Sequence, residues 1–219
     1  MLNRLSLALL ALSCGSCLAP AAFAGPVTIY NTGVNNSGTA LTAGQTDTHY
    51  TLISNPTGVT ETAVATTADP LWIANTTTAS WISPGPSGLT SWDAGDYDYR
   101  TTFNLTGDNP ATADLSGDWT SDNQGCIYLN GANTGVCTGN ADFGSLEAFS
   151  LSTGFISGVN TLDFIVDNTG GPTGVLTEDL SVTASATPSA VPEPSSLALL
   201  ATGALSCLGG LSRRLRRQR

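Results

Sequence analysis

The sequence predicts an all-β body, a sandwich or barrel of short strands, and three observations carry that prediction. The first is composition: of 219 residues only 11% are charged, while 24 are Gly and 11 are Pro, which is poor material for long or coiled helices. The second is strict alternation of apolar and polar residues, the period of a half-buried strand. The third is the clustering of Gly, Pro, Asn and Asp between the alternating stretches, where chains turn.

In chain order, the amino end reads as an export leader over residues 1–24. Arg4 supplies positive charge, residues 5–18 are apolar, and Ala22-Phe23-Ala24 is a small-x-small cleavage site before Gly25. Pro20 interrupts the segment, which argues against a first core helix. Cys14 and Cys17 are poor lipid acceptors, because neither follows a leucine-led box. A leader of this kind implies passage through the Sec machinery and removal by signal peptidase.

The body, 25–186, opens with short strands expected at 27–30 and 49–53. Tyr97, Tyr99, Thr101, Phe103 and Leu105 then fall on one face of a strand, with Asp98, Arg100, Thr102 and Asn104 on the other. Ala113, Leu115, Gly117 and Trp119 alternate with Asp114, Ser116, Asp118 and Thr120, which places Trp119 in the core. Residues 127–136 look like a hairpin turned at Asn130-Gly131. Further strands are expected at 147–151, at 162–167 (Leu162, Phe164 and Val166 on one face) and at 180–184.

Cys126 and Cys137 are the only cysteines between the tails, and an even count in an oxidising compartment favours a disulfide. Closing the ten residues between them is worth about 2–3 kcal/mol by loop-closure entropy.

Charge excludes one class of partner. The chain has no lysine, and of its 17 acidic residues all but Glu193 lie between 25 and 190, where Arg100 is the single basic residue. Such a body repels phosphate backbones, so nucleic acid is not expected as a ligand.

Catalysis is not expected either. His49 is the only histidine, no Gly-x-Ser-x-Gly elbow accompanies it, and one His cannot complete a zinc site. A hydrolase acting on glycans needs two carboxyls about 5–9.5 Å apart; the acids allow many pairs, but none stands in a motif, and most read as solvated strand faces. Calcium is the ion best suited to acidic loops, with Asp93, Asp96 and Asp122 as candidate ligands against the plainer reading of solubility charge. Glycan binding requires an aromatic platform for sugar C–H faces. Trp72, Trp81 and Trp92, all in turn-rich segments, are candidates for that role or for plugging the ends of the core.

After a linker at 187–190 comes Val191-Pro192-Glu193-Pro194, then an uncharged apolar run over 195–212, then Arg213, Arg214, Arg216, Arg217 and Arg219. Eighteen helical residues span roughly 27 Å, barely a bilayer's hydrocarbon core, and the arginines mark the cytoplasmic side of a transmembrane helix. These three parts in this order, 191–217, resemble the PEP-CTERM sorting signal of exported bacterial proteins, associated with Gram-negative bacteria that make exopolysaccharide. The resemblance implies an exosortase, an integral-membrane cysteine transpeptidase, as the partner that processes the tail. It also implies transient anchoring in the inner membrane, then residence in the envelope or extracellular matrix.

Leu115-Ser-Gly-Asp-Trp119, Asp122-Asn123, the Leu-Asn-Gly hairpin and Gly158-Val-Asn160-Thr-Leu-Asp-Phe164 together resemble the galactose-binding-like jelly roll of carbohydrate-binding modules. That resemblance implies a β-sandwich and, by analogy alone, sugar binding. The sequence thus predicts a non-enzymatic exported protein presenting a carbohydrate-binding sandwich, with exopolysaccharide as a candidate partner. A structural coat protein without a specific ligand is the alternative, and a glycan hydrolase ranks third.

Overall fold

The computed structural model describes residues 24–58 and 62–188 together with Gly203. The predicted leader, the Val191–Pro194 element and the arginine cluster lie outside the described residues, as does the apolar run apart from Gly203. Among the described residues, no helix is long and apolar enough to cross a membrane.

The strands are β1 (Ala24–Val27), β2 (Thr51–Ser54), β3 (Val64–Ala65), β4 (Ile82–Ser83), β5 (Gly95–Asn104), β6 (Asp114–Asp122), β7 (Gln124–Leu129), β8 (Ala132–Cys137), β9 (Glu147–Leu151), β10 (Val159–Asn168) and β11 (Gly174–Ser185). The two short helices among the described residues are 3₁₀ turns, Pro110–Thr112 and Asp142–Gly144. The body is an all-β sandwich. One sheet runs β2-β5-β10-β7-β8; the other runs β3-β4-β11-β6-β9, with β1 also on β11. β6 follows one edge of β11, while β4 pairs at Val175 and β1 at residues 182–185. All these pairings are antiparallel.

Alternation decides what is buried. Tyr97, Tyr99 and Phe103 from β5, Ile127 from β7 and Phe164 from β10 meet Leu115 and Trp119 from β6 and Val175 and Val182 from β11 in one core. Trp119 reaches across to Phe164, with ring centroids 5.5 Å apart. The β7–β8 hairpin turns at Asn130 (φ 52°) and Gly131 (φ 78°), the left-handed pair that a two-residue hairpin of matching twist requires. Cys126 and Cys137, opposite one another in register, form the predicted disulfide.

Two expectations shift. The first strand lies at Ala24–Val27 rather than 27–30. The last is longer than predicted, because its first half is covered on both faces. A second cluster, Trp72, Ala79, Trp81 and Leu176, packs outside the main core under the irregular segment 66–81, while Val175 points into the main core. Consecutive buried residues erase period-two alternation. Gly174 is the point of closest approach: a Cβ there would lie 2.8 Å from the Ile82 carbonyl oxygen and 3.3 Å from the Trp72 and Trp81 rings.

Candidate functional site

Of the two roles the sequence leaves open to the tryptophans, burial favours the core plug at Trp72 and Trp81. Trp81 is fully buried and Trp72 nearly so; they stack on each other with centroids 4.2 Å apart. The Trp81 indole N–H donates to the Ile73 carbonyl at 2.8 Å. Neither ring is an open platform. Segment 66–81 is short of regular structure, so its two indoles are the apolar mass that seals it to β11. Trp92 is half-buried against the main core, with part of its ring against Gly85.

The three calcium candidates lie apart. Asp93 and Asp96 are exposed, and Asp96 sits on the five-stranded sheet opposite Asp167. Asp122 is buried at the end of β6 in the other sheet. The three do not come together, and among the described residues no three Asp, Glu, His or Cys side chains are grouped to hold a metal. His49 stacks on Tyr30, centroids 3.7 Å apart, and its backbone N–H donates to Asp47 at 2.8 Å.

Most acids read as solvated strand faces; Asp47, Asp122 and Asp163 are exceptions, all buried. Asp47 accepts from the Gly33 and His49 amides, one on each oxygen. Asp163 accepts from Arg100 on both oxygens, at 2.5 and 2.7 Å. Asp122 differs. Its Oδ2 accepts from the Trp72 indole N–H at 2.8 Å, and its Oδ1 has no hydrogen-bond partner among the described residues. Burial is the main cause that pushes its carboxyl up to about 6; the Trp72 bond opposes this, and the negative charge of Asp69 adds to it.

Asp122 lines a cleft of about 180 Å³ with Asp69, Asn123, Leu71, Trp72 and Phe143. The loop after β3, the β6–β7 turn and the 3₁₀ turn at Asp142–Gly144 bring these residues together. Asp69 Oδ1 accepts the Leu71 amide at 2.8 Å. Asn123 Oδ1 is occupied by the Thr169 amide and hydroxyl at 2.9 and 3.0 Å. Leu71 is 72% exposed at the mouth. The cleft is below the ~300–1,000 Å³ typical of drug-sized sites, the scale of one ring and not of a long chain. A larger cleft of about 410 Å³, near Val27, Phe103 and Val159, contains none of the three buried carboxylates.

The sequence singles out Asp122 only as a calcium candidate and gives no sign of Asp69 or Phe143. No local signal could have found them, since the cleft joins residues 50 apart in the chain.

Residues 190–217 match the PEP-CTERM protein-sorting motif, which marks an exported protein sorted to the cell envelope. No curated protein matches the chain. Several solved structures are similar to it. A CBM35 from Paenibacillus barcinonensis is 17% identical, with 67% of this chain and 99% of that one covered and a TM-score of 0.36. A family 35 carbohydrate-binding module from an environmental isolate is 13% identical, with 58% and 90% covered and a TM-score of 0.33. The CBM36-1 domain of a multidomain xylanase from the hindgut metagenome of Trinervitermes trinervoides is 13% identical, with 44% and 77% covered and a TM-score of 0.30.

Proposed function

We propose that this chain is an exported, non-enzymatic envelope or matrix protein, delivered by its tail and displaying a sandwich that binds glycan in the Asp122 cleft. The observation that carries the sorting half is the tail match over residues 190–217. The Cys126–Cys137 disulfide fits an oxidising compartment outside the cytoplasm. On this reading signal peptidase removes the leader, residues 195–212 hold the chain in the inner membrane, and an exosortase acts at Val191–Pro194. Prolines at 192 and 194 keep that stretch extended, the form a peptidase takes.

The binding half is supported by the make-up of the cleft. A buried carboxylate with a spare acceptor suits a sugar hydroxyl, and Leu71, Trp72 and Phe143 suit the C–H faces of a ring. A structural coat role without ligand is the second reading, favoured by the burial of Trp72 and Trp81.

Fractionation of the native host with mass spectrometry of the mature chain tests the sorting half. The expected product begins at Gly25 and ends near Pro194, and Glu193→Ala leaves the tail attached in the inner membrane. Full-length chain in the cytosol with its leader intact would end the proposal. A glycan array tests the binding half, with saturable binding expected for the parent chain and not for Asp122→Asn.

A further inference from the structure

We propose that the Asp122 cleft takes a sugar bearing a free amino group, so that the ligand is a cationic amino-sugar glycan and not an acidic one. This rests on the glycan-binding reading and narrows it to a substrate class.

Two carboxylates, Asp69 and Asp122, line the cleft, and Asp122, only 5% exposed, has an oxygen without a partner among the described residues. A buried acceptor left unmade costs about 1–3 kcal/mol, more when charged, so a donor that reaches this oxygen from the cleft is favoured. No Lys or Arg of the body is free to provide it. Arg100 is the only Lys or Arg between residues 25 and 190, and its guanidinium is committed to Asp163 in the other sheet.

A cationic donor must therefore come from outside the chain, and charge decides among ligands. An ammonium brings three N–H donors and the missing positive charge. A neutral hydroxyl brings a donor and leaves two carboxylates uncompensated. An acidic sugar meets those carboxylates inside a body with sixteen acids and one arginine, and nothing to pair with. A calcium ion needs six to eight oxygens, whereas Asn123 Oδ1 and Asp69 Oδ1 already accept hydrogen bonds. The apolar part of the lining (Leu71, Trp72, Phe143) fits a ring better than an ion.

The test is calorimetric titration of the full chain in detergent, near neutral pH, with three probes: a glucosamine tetramer, its N-acetylated counterpart and tetragalacturonate. The glucosamine tetramer is expected to bind saturably and at least tenfold more tightly than the N-acetylated one, with no binding of the acidic probe. Asp122→Asn and Asp69→Asn are each expected to lose tenfold or more. Asp69 is half-buried at the rim, so its variant carries the test if Asp122→Asn does not fold. Asp96→Asn with Asp167→Asn, which removes two charges from the other sheet, is expected to change affinity less than twofold.

Equal loss in that control would reduce the effect to general attraction by an acidic surface and overturn the inference. So would a calcium titration that depends on Asp122 while the glucosamine tetramer fails to bind. Tighter binding of the N-acetylated tetramer overturns the amino-sugar inference and leaves glycan binding standing. Failure of all three probes and of the glycan array sinks both.

Discussion

Two buried carboxylates, one in each sheet, meet the same physical problem and solve it differently. Asp163 lies on β10 opposite Arg100 of β5, and both of its oxygens are held by that arginine, the only Lys or Arg in the body. Asp122 ends β6, where the Trp72 indole satisfies one oxygen and leaves the other without a partner among the described residues. A charge removed from water must be paired and hydrogen-bonded or it tends to neutralise. Asp163 is paired, and Asp122 is pushed toward its neutral form, to about 6. The first arrangement is complete without a ligand. The second is incomplete, and on the proposed reading a ligand completes it.

The largest expected effect lies on the completed side. Arg100→Met leaves Asp163 buried and uncompensated, which for a buried pair costs 3–5 kcal/mol. Because the Arg100 side chain is 37% exposed, solvent screens part of this, and we expect about 2–3 kcal/mol. Urea unfolding should show it, and adding Asp163→Leu should restore most of the loss. If Arg100→Met alone is neutral, the pair does not do for Asp163 what is claimed.

The incomplete side predicts a pH dependence of opposite sense to ordinary salt-bridged acids. A carboxyl raised from 3.8 to about 6 in the folded chain binds more protons folded than unfolded between those values. Stability therefore falls as pH rises through that window, and the penalty is full above about pH 6. Asp98, also raised to about 6, by burial first and then by the charge of Asp163, acts in the same direction. We expect a combined loss on the order of 1–3 kcal/mol between pH 4 and 7, read as a declining thermal midpoint. Asp122→Asn should flatten the decline; an unchanged slope would place the raised acid elsewhere.

The contrast also shows what was legible in the sequence. Alternation placed Tyr97, Tyr99 and Phe103 inward on β5 and Leu162, Phe164 and Val166 inward on β10, because each strand has one wet face. It also put Arg100 on the outer face, but could not say which acid would sit across from it, since register between β5 and β10 is a long-range property. Alternation fails where both faces are covered: Val175 and Leu176 are adjacent and both buried. For Trp72 and Trp81 the turn-rich segment left open a platform or a core plug; both form the cover. The Asp122 cleft is the product of that cover, so its lining was out of reach for the same reason.

A smaller effect isolates the single hydrogen bond that Asp122 does have. Trp72→Phe keeps most of the ring stacked on Trp81 and removes the indole donor to Oδ2. We expect about 1–2 kcal/mol of destabilisation at pH 7, shrinking as pH falls below 6 and the carboxyl protonates. A cost independent of pH would mean that lost packing dominates.

The smallest effect tests whether the two cleft carboxylates sense each other. The charge of Asp69 is one cause holding the Asp122 carboxyl up, so Asp69→Asn should lower the Asp122 titration midpoint without reaching the ordinary carboxylate range, because burial remains the larger cause. Stability at neutral pH should change by at most about 0.5 kcal/mol, since Asp69 is half-buried on an outer loop. Carbon-detected NMR titration of the Asp122 carboxyl reads this directly. A midpoint that does not move would show the two acids to be screened from one another, and a shared cation between them would lose its electrostatic basis. A midpoint that falls places both charges in one field, as the cleft geometry requires.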